Sequence, residues 1–434
     1  MSINEKNQTR RSFLKKTAAT TAASMALGAS TSVARSAHHG VDDKLRIGLV
    51  GCGGRGTQAV LNALKADDNS EVTALADAFA DRIEICYNGL KENERSASRL
   101  NVPEDRRFTG FDCHEKLIAS GVDVVLLAAP PYFRPAHLKA CVDAGKHVFC
   151  EKPVAVDPPG VRSILETCKL AKEKGLSIVS GLCWRYDIGV NAVMSKILED
   201  RMLGEIRTIQ ENYLTGTLWH RGNDPKWSQM EYQMRNWLYY NWLSGDHIAE
   251  QHIHSLDKAL WLMGDDPPEV AYGSGGRQVR TDEKWGNVYD HFSTVFEWKN
   301  GVKMFSYCRQ MAGCMSDVDD YVIGTKASAR VLKKRISDST GVIWKFDQKG
   351  TPSMYDVEHQ HLFKSIRDGK PINDGQYMSY STMMAIMGRE ASYTGQKIKW
   401  SALMESEQTL GPKKLEFGDY TPDKVAMPGE RGWS

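Results

Sequence analysis

The apolar run Leu45 to Val50 breaks directly into Gly51-Cys52-Gly53-Gly54-Arg55-Gly56, and that junction limits the chain to few folds. In a loop of this kind the first glycine makes a tight strand-to-helix turn. The second lets the backbone approach a pyrophosphate, and the third lets the helix pack on the strand. A glycine loop alone is a weak signal, but its surroundings strengthen it. Val60, Ala63 and Leu64 follow at helical spacing, and then comes a second strand, Glu71 to Ala76, closed by Asp77. A carboxylate at that strand end accepts hydrogen bonds from both adenosine ribose hydroxyls and repels a 2′-phosphate. NAD is therefore expected and NADP disfavoured. Gly51, Gly53, Gly54, Arg55, Gly56 and Asp77 are the expected cofactor contacts.

Ahead of this fold, Arg10-Arg11-Ser12-Phe13-Leu14-Lys15-Lys16 precedes an alanine- and threonine-rich stretch that ends in Ser32-Val33-Ala34. It looks like a twin-arginine export signal over residues 1–34, too short and too polar for a convincing membrane span. The expected location is periplasmic or otherwise exported, with no membrane attachment once the signal is removed. The whole chain carries 56 Lys and Arg against 54 Asp and Glu, a balance that offers nothing to nucleic acid. Nine cysteines, an odd count without paired spacing, argue against a disulfide framework. Twin-arginine cargo folds before export, so a loaded dinucleotide would travel with it.

With 434 residues the chain can bury a large core and is expected to form two domains. Val122 to Leu127, His147 to Cys150 and Leu176 to Ser180 are continuous apolar runs, suited to parallel strands covered on both faces. Val161, Ile164, Leu165, Cys168 and Ala171 mark one buried helix face between them. This predicts an α/β dinucleotide-binding domain over residues 45–182. From Glu205 the texture shifts to longer strands: Ile206 to Thr215, Asp290 to Lys299, Val302 to Arg309 and Tyr321 to Leu332, with a tight turn at Lys299-Asn300-Gly301. Residues 183–416 are expected to form an α+β domain with an open, mainly antiparallel sheet. Helices over Val357 to Gly369 and Ser379 to Gly395 would pack back against that sheet, and residues 417–434 would be an extended tail. An exposed open sheet would be covered by a second copy, so a homo-oligomer is expected.

At Glu151-Lys152-Pro153, preceded by Ala144-Gly145-Lys146-His147-Val148-Phe149-Cys150, the sequence resembles the Gfo/Idh/MocA oxidoreductases. The resemblance also takes in the glycine loop, Ala129-Pro130-Pro131 and a helical segment ending in His254. It implies a Rossmann domain joined to an open sheet that presents a sugar or cyclitol to the nicotinamide. Ala129, Pro130, Glu151 and Lys152 would then join the cofactor contacts. Family members commonly place an Asp four residues before a His on the second domain's active-site helix. Here Glu250 stands where Asp is usual and His254 where the His is expected.

Alcohol oxidation needs a base for the hydroxyl proton, and histidine serves near neutrality without much tuning. Lys152, at a strand end beside the nicotinamide, would donate a hydrogen bond to the oxygen as charge develops. Glu250 would orient or charge-balance His254 or Lys152, and Pro153 would restrict the aim of Lys152. On one continuous helix Glu250, His254, Asp257 and Trp261 would form a single stripe. His247, Glu250, His252 and His254 also invite a metal reading, but one helix rarely closes a site, and no metal is expected. Trp184, Arg185 and Tyr186 lie where the resemblance puts substrate contacts. Trp237 belongs to an aromatic run from Trp219 to Trp242 that reads equally as a carbohydrate lid or as core.

The expected activity is that of an exported NAD-dependent oxidoreductase acting on a sugar, glycoside or cyclitol hydroxyl. The alternative is a glycosidase or lyase that oxidises its substrate transiently, with no net redox change. A binding protein with a vestigial dinucleotide fold is a third reading.

Overall fold

The computed structural model describes residues 43–430 and 432, so the expected twin-arginine signal over residues 1–34 lies outside the described residues. The first sheet is wholly parallel: β1 (Leu45–Val50), β2 (Ser70–Asp77), β3 (Arg107–Thr109), β4 (Val124–Leu127), β5 (His147–Cys150) and β6 (Ile178–Ser180), in the order β3-β2-β1-β4-β5-β6. β4 and β5 are buried at every position, as continuous apolar runs require when helices cover both faces. The strand order reverses between β1 and β4, which opens a crevice at their C-terminal ends, the usual ligand position in such sheets.

The second sheet has nine strands: β7 (Ile206–Thr215), β8 (Val270–Gly276), β9 (His291–Glu297), β10 (Lys303–Gln310), β11 (Asp317–Gly324), β12 (Ser328–Arg330), β13 (Arg335–Asp338), β14 (Gly341–Lys345) and β15 (Ile398–Lys399). Their order is β14-β13-β12-β11-β7-β10-β9-β8-β15. Only the β7–β10 pair is parallel, so the sheet is mixed and mainly antiparallel. At the β9–β10 turn Gly301 alone takes positive φ (84°), while Asn300 accepts the Val302 N–H at 3.1 Å through its side chain.

Two sequence expectations are corrected. Tyr321 to Leu332 is not one strand: β11 ends at Gly324 and the chain returns as β12. The carbonyls of Leu203 and Glu205 take the Lys326 and Thr325 N–H groups, and a side chain at 324 would sit 2.1 Å from the Leu203 oxygen. Of the two closing helices, Gly375–Thr394 packs on the second sheet, but Met354–Arg367 crosses to the first domain. There Leu362, Phe363 and Ile366 join the core that contains Leu45, Ile47 and Val60, and Arg367 holds Asp67 at 2.7 Å. The apolar face of that helix finds its complement on the helix that follows the glycine loop.

Candidate active site

The glycine loop is shaped as its motif requires. Gly51 has φ +100°, and a Cβ there would stand 2.4 Å from the Ala129 nitrogen. A Cβ on Gly56 would stand 2.0 Å from the Gly51 carbonyl oxygen, so helix and strand pack at glycine distance. Gly53 and Gly54 face open space. They stand at the start of the helix Gly54–Ala66, whose free N–H groups and positive dipole end suit a pyrophosphate. Beside them runs a groove of about 770 Å³ lined by Gly51, Gly53, Asp77, Ala129 and Pro130. The Asp77 carboxylate, at the groove wall, accepts the N–H groups of Cys52 (2.7 Å) and Phe79 (3.0 Å). Burial raises its pKa against the pull of those two bonds. Backbone cradle, open space and acidic strand end together fit a dinucleotide.

A second cavity, of about 710 Å³, shares Ala128, Ala129 and Trp237 with the groove and is lined further by Arg55, Arg134, Glu151, Lys152, Glu250 and His254. Arg55 and Glu151, expected at the cofactor, line this cavity and not the groove. The reason is a fork: the Arg55 guanidinium bonds both Glu151 and Glu358 (2.7 Å to the latter) and lies 5.0 Å over the Tyr355 ring. Glu358 and Tyr355 both come from the helix Met354–Arg367, so the arginine ties that helix to the strand end carrying Lys152.

Lys152 follows β5, and its peptide bond to Pro153 is cis. Its ammonium donates to the Glu250 carbonyl oxygen and lies 3.1 Å from the Glu250 carboxylate. The carbonyl is free because the helix is broken, which corrects the expected continuous stripe. A short helix, His247–Glu250, ends there, and a second, Ile253–Leu262, begins only after Gln251 and His252. The His254 N–H bonds Gln251 rather than Glu250, leaving the last carbonyl of the short helix for a cation. Burial alone would lower the Lys152 pKa, but the charges of Glu250 and Glu151 outweigh it and hold it above the ordinary lysine value. Lys152 is therefore an ammonium at neutral pH.

His254 shares the cavity with Lys152. Burial, reinforced by the charges of Lys152, Lys258 and Arg55, pushes its pKa well below the ordinary histidine value. The expectation that this imidazole needs little tuning is thus corrected: the site holds it neutral. Among the described residues its Nδ1 has no hydrogen-bond partner, and Glu250 is engaged with Lys152 instead. Of the two expected roles for Glu250, charge-balancing Lys152 matches the contacts and orienting the His254 ring does not.

The structure sets Trp184, Arg185 and Tyr186 outside this cavity, contrary to the expected substrate contacts. The Arg185 guanidinium bonds Asp257 (2.9 Å) and Asp265 (2.6 Å) and lies over Trp261 and Tyr377, while the Tyr186 hydroxyl donates to Asp374 at 2.5 Å. Asp257 and Trp261 thus serve Arg185 and not the cavity. His252 bonds Ser306 and His247 bonds Asp246, so the histidines turn to different neighbours. The end of the aromatic run is core: Tyr239, Tyr240 and Trp242 are buried in one cluster, whereas Trp219 is exposed, Trp227 and Tyr232 are half-buried, and Trp237 sits in the wall shared by both cavities. Sequence reasoning missed Arg134, fully buried in the cavity wall and held by the Ala129 carbonyl at 2.7 Å. Its position just after Ala129-Pro130-Pro131 was a usable signal. Tyr355 gave none, because only the returning helix brings it to the site.

Comparison with known proteins agrees with this layout. Residues 45–181 match the family model described as "Oxidoreductase family, NAD-binding Rossmann fold", and residues 192–330 match the "GFO/IDH/MocA C-terminal domain". An inositol 2-dehydrogenase of Klebsiella pneumoniae (strain 342) is 24% identical over 359 residues, 79% of this chain and 91% of that protein. A 2,7-anhydro-N-acetylneuraminate hydratase of Escherichia coli (strain K12) is 24% identical over 291 residues, 66% of this chain and 67% of that protein. Among solved structures, the scyllo-inositol dehydrogenase from Lactobacillus casei with bound NAD(H) and scyllo-inositol superposes with a TM-score of 0.62 at 16% identity, over 83% of this chain and 100% of that one.

Proposed function

The chain belongs to the Gfo/Idh/MocA family of NAD-binding oxidoreductases, and we propose that it acts on a secondary hydroxyl or keto group of a sugar, glycoside or cyclitol. The observation that carries this reading is one cavity, continuous with the glycine cradle, in which an ammonium and a neutral imidazole stand together. When bound, NAD supplies the nicotinamide that takes the hydride from the substrate carbon. His254, held unprotonated, accepts the hydroxyl proton. Lys152, held protonated, donates a hydrogen bond to the oxygen as negative charge grows on it. Glu250 keeps Lys152 charged, and Trp237 closes the wall between the two compartments, offering a flat apolar face to a ring substrate. The relatives named inositol 2-dehydrogenase support a polyhydroxylated ring as substrate class.

The test is direct. Purified protein is incubated with NAD and a panel of cyclitols, aldoses and glycosides, and reduced nicotinamide is followed by absorbance. A keto product formed by wild type and not by Lys152→Met supports the reading, and no turnover across the panel opposes it. The likeness to the hydratase favours one second reading, transient oxidation followed by elimination, with no net redox change. Released aglycone with the nicotinamide unchanged would select it. Export belongs to the same proposal, resting on the Arg10-Arg11 leader and tested by whether Arg10→Lys/Arg11→Lys holds the protein in the cytoplasm. A homo-oligomer covering the open face of the second sheet is the corresponding proposal for assembly, read by light scattering.

A further inference from the structure

The dinucleotide groove has a second wall that the first domain does not supply. On one side stand Asp77, Phe79, Arg82 and Phe111. Facing them are Arg221, Met234, Arg235 and Trp237, from the connection between β7 and the short helix Asn241–Ser244. A Rossmann domain alone leaves this flank open, because its ligand lies across the strand ends.

The connection is fastened across the groove. The Arg235 guanidinium bonds both Asp81 carboxylate oxygens (2.9 and 3.0 Å) and lies 4.1 Å over the Phe79 ring. The C-terminal tail then closes the ring. Phe417 meets Phe111 at 4.8 Å and Phe79 at 5.8 Å, the Gly418 carbonyl accepts the Met230 N–H at 3.0 Å, and the Tyr420 carbonyl accepts from Gln233 at 2.6 Å. First domain, connection and tail share one apolar cluster, with Phe79, Phe111, Met234, Leu415 and Tyr420 among its members. Within this clasp two arginines, Arg82 and Arg221, stand outside any ion pair among the described residues, and one of them, Arg221, lies 4.5 Å over the Trp219 ring. Both line the groove and approach it from opposite halves. Asp77 and Asp81 act on these arginines only through space, while Arg82, Arg221 and Arg235 crowd one another, so an anion in the groove would meet guanidinium donors that no ion pair takes up.

We propose that the 216–240 connection and the 417–420 tail form a clasp over the adenosine diphosphate half of the dinucleotide, with Arg82 and Arg221 as its anion contacts, so that the cofactor stays resident between turnovers. This rests on the oxidoreductase reading above. Leaving the groove would require the Arg235–Asp81 fork and the Phe417 contacts to open together, which slows release more than it changes capture.

The experiment measures retention, not activity. Protein purified without added nucleotide is desalted, the nicotinamide released by acid is counted per chain, and exchange of bound NAD with isotopically labelled NAD is followed over time. Wild type is expected to keep near-stoichiometric NAD and to exchange it slowly. Arg221→Ala and Phe417→Ser are each expected to speed exchange about tenfold or more while circular dichroism stays unchanged. Both side chains are substantially exposed, Phe417 at 47%, so neither change empties the core. Exchange at wild-type speed in either variant overturns the clasp and leaves the oxidoreductase reading standing. A wild-type chain that binds no NAD at all overturns that reading instead.

Discussion

The two sheets deliver function in different ways, and the cause is strand direction. Parallel strands bring all their C-terminal ends to one edge, so the loops after β1, β2, β4 and β5 gather there: the glycine turn, Asp77, Ala129-Pro130 and Lys152. Antiparallel strands alternate their ends, and no such common edge exists. The second sheet contributes instead through what packs on its inner face, the broken helical segment with Glu250 and His254. On the opposite face of the single chain Phe305 and Ile323 are exposed, where β10 and β11 alternate inward and outward. In the first region the chemistry lies mostly in backbone geometry, and in the second it lies in side chains. Lys152 is where the two meet.

The sharpest way to break this comparison is at that meeting point. Lys152→Ala is expected to lower kcat about a thousandfold, roughly 4 kcal/mol of barrier, while NAD affinity stays near wild type. Stopped-flow turnover and a fluorescence titration with NAD separate the two quantities. A parallel loss of NAD affinity would mean that the lysine serves the first region's ligand and not the shared chemistry.

Next in size is Arg185→Ala, which tests whether the second region also holds side chains that only build structure. Arg185 and Asp257 are a buried pair, 10% and 1% exposed, and removing the guanidinium strands Asp257. The expected cost is about 3 kcal/mol of stability with KM unchanged, read by denaturant unfolding and initial rates. A raised KM with full stability would restore the substrate role that the sequence suggested for this residue.

Smaller again is the effect of a single methyl group on the cradle. Gly53→Ala places a Cβ in open space where the pyrophosphate would lie, so Tm is expected to hold while NAD binds about tenfold more weakly, near 1.4 kcal/mol. Gly56→Ala is the control, because its Cβ meets the Gly51 carbonyl at 2.0 Å and the cost falls on folding. Calorimetry of both variants would show whether the loop's glycines divide their work as the geometry indicates.

Much of the first region was legible in the sequence, because its signals are local. β1 and β5 fall on the apolar runs residue for residue, and the glycine loop announces its own turn. The second region was legible in its strands and less so in its site. Glu250 and His254 could be picked out, but the break between them could not, since it arises from the Gln251 carbonyl taking the His254 N–H in place of the carbonyl of Glu250. Arg185 was misplaced for a related reason: its partners Asp257 and Asp265 are set by packing, and an arginine beside a tryptophan looks alike in sequence whether it meets a sugar or a carboxylate. The crossing of Met354–Arg367 to the first domain was invisible too, because an amphipathic face does not say which partner it will find.

The smallest expected effect is the most diagnostic of how the two regions cooperate. Lys152 is kept charged by Glu250 and Glu151 against burial, so it loses its proton only above the ordinary lysine range. His254 is kept neutral by burial and by the cations Lys152, Lys258 and Arg55, so it gains a proton only well below pH 6.5. Between those limits both groups hold the forms that the proposed chemistry needs, and wild-type kcat should stay level through pH 6.5, where an unperturbed histidine would begin to fail. Glu250→Gln removes the nearest charge that raises Lys152 and leaves burial less opposed. The lysine then deprotonates at lower pH, and the alkaline limb of the kcat profile moves toward neutrality while the acid limb stays in place. Should the acid limb move instead, Glu250 would be acting on His254, and the division drawn here between a carboxylate that charges the lysine and an imidazole set by burial would have to be reversed.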